Sequence, residues 1–339
     1  MMRRQERSAE RMRVLSELVD ANADRRQQMI DEYKRRSEEA FAPQTRRNLR
    51  QMKSSFLKWL VANGHSTDLP IEPTVVADYV ESLGGQLRPT TIECRLWAIS
   101  EMHKAEFLGS PSHHRLVDLA LKSVKRRFGT AIKQAAPLSK SDVLETVSSL
   151  GTTRIDVRDR ALLLTASDSW CRASELIALR VEHICRQNDG SSLLFIIRSK
   201  TDQYGEGAYA FLSAEGTGAV DAWIKLARLK KSDPVFTKSQ KNGTKTPLDT
   251  ATISRIFKRR FGRDDVSSHS MRVGGVQDAF RLGCDLSSIM VAGRWSSPEM
   301  PARYGRRILA SSSAAAQVSA AYSSHEKSSS LAGPSRSFF

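Results

Sequence analysis

The sequence predicts two domains, an all-α first half and a mixed α+β second half that is mainly helical. Three observations carry this. The chain has 339 residues, too many for one ordinary domain and suited to two at roughly 100–200 residues each. Residues 1–132 show helical apolar spacing and no convincing strand, whereas the second half adds a continuous apolar run, Leu193-Leu194-Phe195-Ile196-Ile197. Between the halves, residues 129–138 (GTAIKQAAPL) combine small residues with a proline and read as a connection, with the linker proper at 133–138. Hydrophobic residues make up 40% of the chain, enough to build packed cores, which excludes wholesale disorder.

In chain order, residues 1–21 mix both charge signs and read as a flexible arm, followed by a docking helix with a thin apolar stripe. Pro43 is expected to break the chain and Thr45 to cap a new helix. Over residues 45–62, Leu49, Met52, Phe56, Trp59 and Leu60 recur at three- and four-residue steps, so one face packs. Arg47, Gln51, Ser54 and Lys58 occupy the opposite face. Long hydrogen-bonding side chains on an exposed face suit a helix in a major groove, and equally a plain surface helix. A second helix starts near Thr90-Thr91 after Pro89, and a third, near 114–128, ends in Lys125-Arg126-Arg127. In the second half, Ser139 with Asp142 forms a capping-box pattern, and Ala161-Leu162-Leu163-Leu164 belongs to a buried helix. Residues 193–197 are a strand, answered by 208–212 across Gly205-Glu206-Gly207 as a hairpin. From Thr252 the chain is helical in short pieces, with a last small-residue helix at 308–322 and a Ser-rich tail, 323–339, expected to be disordered.

Charge narrows the function classes. Lys and Arg number 53 against 37 Asp and Glu, a net charge of +16 that calls for a polyanionic partner. The surplus is blocked: residues 41–60, 121–140, 251–260 and 301–310 carry basic residues and no acid. No stretch reaches about 18 consecutive apolar residues, so no membrane-spanning helix is expected. Cys94, Cys171, Cys185 and Cys284 form no C-x-x-C pair, so neither a zinc site nor a disulfide framework is indicated. The composition reads as a reduced, cytoplasmic protein that binds nucleic acid, with no metal and no cofactor expected.

Three segments stand out for chemistry: Trp170-Cys171-Arg172-Ala173-Ser174-Glu175, Ser268-His269-Ser270-Met271-Arg272-Val273-Gly274-Gly275, and Ala292-Gly293-Arg294-Trp295 followed by Ser297-Pro298 and Tyr304. His269 and Arg272 are at a helical i, i+3 spacing, which puts both side chains on one face. Ser297 is expected to cap, and Pro298 to open, a short helix carrying Tyr304.

Together these segments resemble the tyrosine recombinase (phage integrase) family, most closely its Cre-like phage and plasmid members, over residues 22–322. That family places an arginine at a helix start, a lysine in a β-hairpin, H-x-x-R, a His or Trp, and then the tyrosine. Here Arg172, Lys200, His269, Arg272, Trp295 and Tyr304 fall in that order, with Glu175 in the place of the family's supporting acid. The resemblance implies an all-α, SAM-like core-binding domain at 22–132 and a catalytic domain at 139–322, closing on DNA as a C-shaped clamp. It implies that Tyr304 attacks a phosphodiester to leave a 3′-phosphotyrosine and a free 5′-hydroxyl. Guanidinium pairs hold phosphate oxygens bidentately and stay charged at any working pH, which is the use it assigns to Arg172 and Arg272. Lys200 becomes the acid for the departing 5′-oxygen, while His269 and Trp295 attend the phosphate and the nucleophile.

The resemblance puts Thr45, Arg47, Asn48, Gln51, Thr90, Thr91 and Arg95 nearest the bases from one side of the duplex. Ser254, Arg255, Lys258 and Arg259 approach from the other, and Lys238 and Lys241 hold the backbone. A guanine-reading arginine of the family aligns with Ala251, so the target sequence should differ from that of the Cre-like members. The implied partner is double-stranded DNA with inverted-repeat half-sites around a spacer. The implied assembly is a homotetramer in which residues 308–322 dock in a neighbouring protomer, acting in the nucleoid. A type IB topoisomerase, a telomere resolvase or an inactive DNA-binding relative are the alternatives.

Overall fold

A computed structural model describes residues 23–131, 134–197, 206–238 and 245–331. The chain divides into two compact units between Ile132 and Lys133. Among the described residues no helix is long and apolar enough to cross a membrane.

The first unit is helical throughout its described residues: α1 (Ala23–Ala40), α2 (Pro43–Ala62), α3 (Pro73–Ser82), α4 (Pro89–Ala105), a 3-10 turn (Pro111–His113) and α5 (Arg115–Phe128). The chain breaks beside Pro43 as expected, at Phe41-Ala42, but Thr45 lies inside α2 and does not cap it. Pro43 is itself the first residue of α2, and α3 and α4 also open on proline. A missing N–H costs nothing in the first turn, and the fixed φ is already helical. Phe56, Leu60, Val76, Tyr79, Ile92, Ile99 and Val117 form the core. His103 is fully buried within it; its Nδ1 meets the Ile99 carbonyl at 2.8 Å and its Nε2 accepts from the Ile71 N–H at 3.1 Å. Burial holds it neutral, below its ordinary pKa. Helix α1 docks by the buried Ile30 and by Tyr33, whose hydroxyl donates to Glu101 at 2.9 Å.

The second unit contains α6 (Lys140–Ser148), α7 (Arg154–Ser169), α8 (Ala173–Ala178), a 3-10 turn (Val181–His183), β1 (Ile184–Arg186), β2 (Ser192–Ile196), β3 (Ala208–Leu212) and α9 (Ala214–Ala227). It continues through α10 (Thr250–Phe261), α11 (Ser270–Arg281), α12 (Leu286–Gly293), α13 (Glu299–Ser311) and α14 (Ala314–Leu331). The expected strand pairing is present, with β2 and β3 antiparallel and Leu194 opposite Ala210; β2 lies one residue earlier than its composition implied, and Gly205 of the expected turn lies outside the described residues. β1 adds an unexpected third strand, with Cys185 opposite Leu193. Residues 161–164 are buried in α7, as their composition implied. Ser139 and Asp142 close the expected capping box on α6.

Residues 136–138, assigned to the linker by composition, lie on the second unit. The Ala136 N–H bonds to Asp265 O at 3.3 Å and the Leu138 N–H to Ser270 O at 3.2 Å. The C-terminal boundaries also move. Residues 308–311 continue the tyrosine helix, the chain turns at Ser312-Ser313, and α14 runs to Leu331. The expected helix at 308–322 is thus split, and the Ser-rich segment is helical over its first part, because serine is only a moderately weak helix former.

Candidate active site

Four chain segments converge. Helix α7 ends at Trp170 in a left-handed conformation (φ 48°), which reverses the chain so that Arg172 becomes the N-cap residue of α8. His269 takes the same position before α11, and Arg272 follows one turn later. Helix α12 ends at Arg294, also left-handed (φ 55°), and turns the chain into Trp295. Pro298, not Ser297, is the N-cap of α13, whose second turn carries Tyr304.

Arg272 is fully buried, at 0% exposure. Its Nη1 donates to the Trp170 carbonyl and its Nη2 to the Gly293 carbonyl at 2.8 Å, while its Nε has no partner. The guanidinium lies 4.4 Å from the centroid of the Trp295 ring. Burial, then the neighbouring Arg172, pull its pKa down to about 10, so it stays charged at neutral pH. Close approach is built into the backbone here. A Cβ on Gly293 would lie 1.7 Å from the Trp295 ring, so only glycine admits the indole beside the turn.

The Arg172 side chain is 18% exposed, which leaves it more open than Arg272. Its Nη1 donates to Glu175 Oε1 at 2.6 Å, and its backbone N–H to Oε2 at 2.9 Å. Burial pushes the Glu175 carboxyl up, but Arg294, then the N–H and guanidinium of Arg172, more than offset this and hold it below its usual range. Tyr304 is buried, and its hydroxyl shares a short hydrogen bond with His269 Nε2. Burial lowers the His269 pKa to about 4, with help from Arg272 and Arg172, so the imidazole is neutral near pH 7. Burial raises the Tyr304 pKa, while Arg272, Arg172 and Arg303 oppose it. Trp295 meets the Tyr304 ring edge to face at 6.0 Å.

Six of the seven residues expected in the site therefore meet around one pocket. The seventh, Lys200, lies outside the described residues, as does Lys241. Sequence reasoning missed Arg294, whose Nη2 reaches Glu175 Oε2 at 2.9 Å. Arg294 stands beside Trp295 in a quoted motif, but a lone arginine after glycine carries no signal of burial. Trp170 was quoted without a role; its carbonyl accepts from both Arg272 and Arg294.

The expected DNA-facing residues divide between the two units. On α2, Arg47, Asn48 and Gln51 are exposed and Thr45 is half-buried; Thr90 and Thr91 are exposed in the first turn of α4. Arg95 is half-buried and donates to the Tyr79 hydroxyl at 2.7 Å. In the second unit, Lys238 pairs at 3.4 Å with Asp249, the N-cap of α10. Arg255 and Lys258 are exposed on α10, and Ser254 is half-buried against Ser268. Arg259 is held differently from the expectation, because its Nη2 donates to Asp159 on α7 at 2.9 Å. Asp159 is fully buried and also accepts from Arg158 and Arg260.

Comparison with known proteins agrees with this geometry. Recombinase cre of Escherichia phage P1 is 29% identical over 318 residues, 86% of this chain and 91% of the relative. The integrase/recombinase xerD homolog of Selenomonas ruminantium is 26% identical over 304 residues, covering 85% of this chain and 88% of the relative. Among solved structures, the XerH site-specific recombinase bound to palindromic difH substrate, a post-cleavage complex, matches with a TM-score of 0.57. It shares 16% identity over 74% of this chain and 75% of that one, a likeness of fold. Residues 137–308, which span the whole pocket, match the phage integrase family, and the chain belongs to that family as an enzyme of the tyrosine recombinase type.

Proposed function

We propose that the enzyme cuts and rejoins DNA at a specific site through a 3′-phosphotyrosine on Tyr304. The observation that carries this is the Tyr304 hydroxyl on the neutral imidazole of His269, in a pocket that also holds the Arg172 and Arg272 guanidiniums. A neutral imidazole can accept the phenolic proton as Oη attacks phosphorus. The developing charge on the nonbridging oxygens is met by two guanidiniums and the Trp295 indole N–H. Each such preorganised donor is typically worth about 10²–10³ in rate. The P–O5′ bond breaks, and the 5′-oxygen takes a proton that, by family resemblance, Lys200 supplies. The phosphotyrosine conserves the energy of the broken phosphodiester, so rejoining to a second 5′-hydroxyl needs neither ATP nor a metal.

The same resemblance supports a tetrameric synapse, strand exchange through a Holliday junction, and docking of the segment after Ser311 in a neighbouring protomer. The exposed Val318 and Tyr322 of α14 are apolar side chains available for that docking. The exposed cations of α2 and α10 supply the surface for duplex DNA.

The test begins by selecting a binding duplex from a random-sequence library with the wild-type protein. The duplex is then nicked near the inferred cleavage position to trap the covalent adduct. Wild type should form a protein–DNA band on a denaturing gel, and Tyr304→Phe should bind equally and form none. An adduct persisting in the variant would remove Tyr304 from the nucleophile's role.

A further inference from the structure

We propose that Arg294 is a positioning residue for cleavage, clasping Glu175 to the ends of α7 and α12 so that the Arg172 guanidinium is fixed at the scissile phosphate. This rests on the function proposed above.

The backbone argues first. Arg294 occupies a left-handed conformation with φ 55°. Glycine adopts that conformation freely, whereas a residue with a Cβ is disfavoured by roughly 1–2 kcal/mol. The side chain is also only 7% exposed, so a long charged group has been desolvated. A residue that only ended α12 would need neither cost.

Its partners show what the side chain does. Nη1 donates to the Ser169 carbonyl at 3.0 Å and the Ala292 carbonyl at 3.1 Å. Nη2 donates to Glu175 Oε2 at 2.9 Å and to the Trp170 carbonyl at 3.3 Å, and lies 3.6 Å from Cys171 Sγ. One guanidinium thus ties the turn that presents Arg172 to the turn that presents Trp295. The residues flanking Arg294 belong to the other half of the pocket, since the Gly293 carbonyl accepts from Arg272 and the Trp295 ring abuts Tyr304. Glu175 is the joint. It takes Arg172 on Oε1, and the Arg172 N–H and Arg294 on Oε2.

Removing Arg294 leaves a buried carboxylate with one cation beside it. Arg172 on the N-terminal side of α8, Arg294 at the end of α12, Arg272 from α11 and the buried Cys171 thiol are the ionisable groups around Glu175. Arg294 is the largest of the influences that keep it ionised. Without it, Glu175 takes a proton at higher pH. A protonated carboxyl has a donor where it needs an acceptor, so its grip on Arg172 fails.

The experiment uses the selected, nicked duplex, and the wild-type adduct is measured first. No adduct from wild type would count against the proposed function and leave Arg294 unaddressed. Arg294→Gly relieves the backbone strain and should bind the duplex within about threefold of wild type. Its single-turnover cleavage should fall roughly 100-fold at pH 7.5, the scale of misplacing one catalytic group by about 1 Å. Arg294→Lys, which returns a cation to the same place beside Glu175, should recover part of the rate. If the glycine variant fails to bind DNA, Arg294→Met, similar in length and apolar, replaces it with the same outcomes. Cleavage near the wild-type rate, or no recovery in Arg294→Lys, overturns the proposal.

Discussion

Adding one methyl group at Gly274 should unfold the second unit more easily, although alanine is the better helix former. Gly274 lies in α11, one turn after Ser270. A Cβ there would sit 1.7 Å from the Leu138 carbonyl oxygen and 2.3 Å from its carbon, whereas ordinary contact begins near 3.4 Å. The obstruction is backbone, so no rotamer change relieves it. Leu138 is itself buried and donates its N–H to Ser270 O, and the next residue caps α6. Overpacking costs about 1–3 kcal/mol, here at the upper end, and loss of the Leu138 hydrogen bond about 1 kcal/mol more. Alanine's propensity returns about 1 kcal/mol. The net is a loss of about 2–3 kcal/mol, or roughly 5–10 °C in Tm for a unit of this size. Gly218 in α9 is the control, because it is exposed and a Cβ there meets nothing within 4 Å. Gly218→Ala should raise stability by up to about 1 kcal/mol. Circular dichroism melts and urea titrations of the full chain decide. If the two alanines shift Tm in the same direction, the packing argument is wrong.

Two further outcomes follow from buried charge. Asp159→Ala leaves the buried Arg158 guanidinium without its carboxylate and takes one of two carboxylates from Arg260, and should cost about 3 kcal/mol in urea unfolding. Arg259→Ala, whose side chain is 58% exposed, should cost under about 1 kcal/mol, and equal losses would refute the hub. For His269, the folded pKa of about 4 lies below the ordinary histidine value of 6.5, so between those pH values the unfolded chain binds a proton that the folded chain refuses. Stability should therefore decline as pH falls through that window, by roughly 3 kcal/mol at its acid end. His269→Gln should flatten that part of the pH profile, and an unchanged profile would show that another group is responsible.

What the sequence made legible was whatever repeats or keeps order. Leu49, Phe56 and Leu60 are buried, and Arg47, Gln51, Ser54 and Lys58 exposed, because a helix imposes that period on its neighbours. The order Arg172, His269, Arg272, Trp295, Tyr304 was readable because the chemistry needs that set together. β1 was not readable, since Ile184-Cys185-Arg186 is too short to show alternation. The pairing of Arg259 with Asp159 was not readable, because the two are a hundred residues apart in sequence. Arg294 was hidden for a related reason: its burial exists only once the fold brings its guanidinium to the carbonyls of Ser169 and Trp170, more than a hundred residues away in sequence.

The Asp159 cluster also divides α10 into a part that can vary and a part that cannot. Arg259 and Arg260 are moored to α7, the same helix whose end supplies the carbonyls of Ser169 and Trp170 to the pocket. Ala251, Arg255 and Lys258 are exposed and have no tie to α7. On the proposed reading of α10 as a DNA-facing helix, retargeting to a new DNA sequence, by laboratory selection or by natural drift, would draw on those three positions. Substitutions at Arg260, which is largely buried and pairs with both Asp156 and Asp159, would change the seat of α10 on α7. Libraries that randomise the whole helix should lose more members at Arg260 than at 251, 255, 258 or the exposed Arg259.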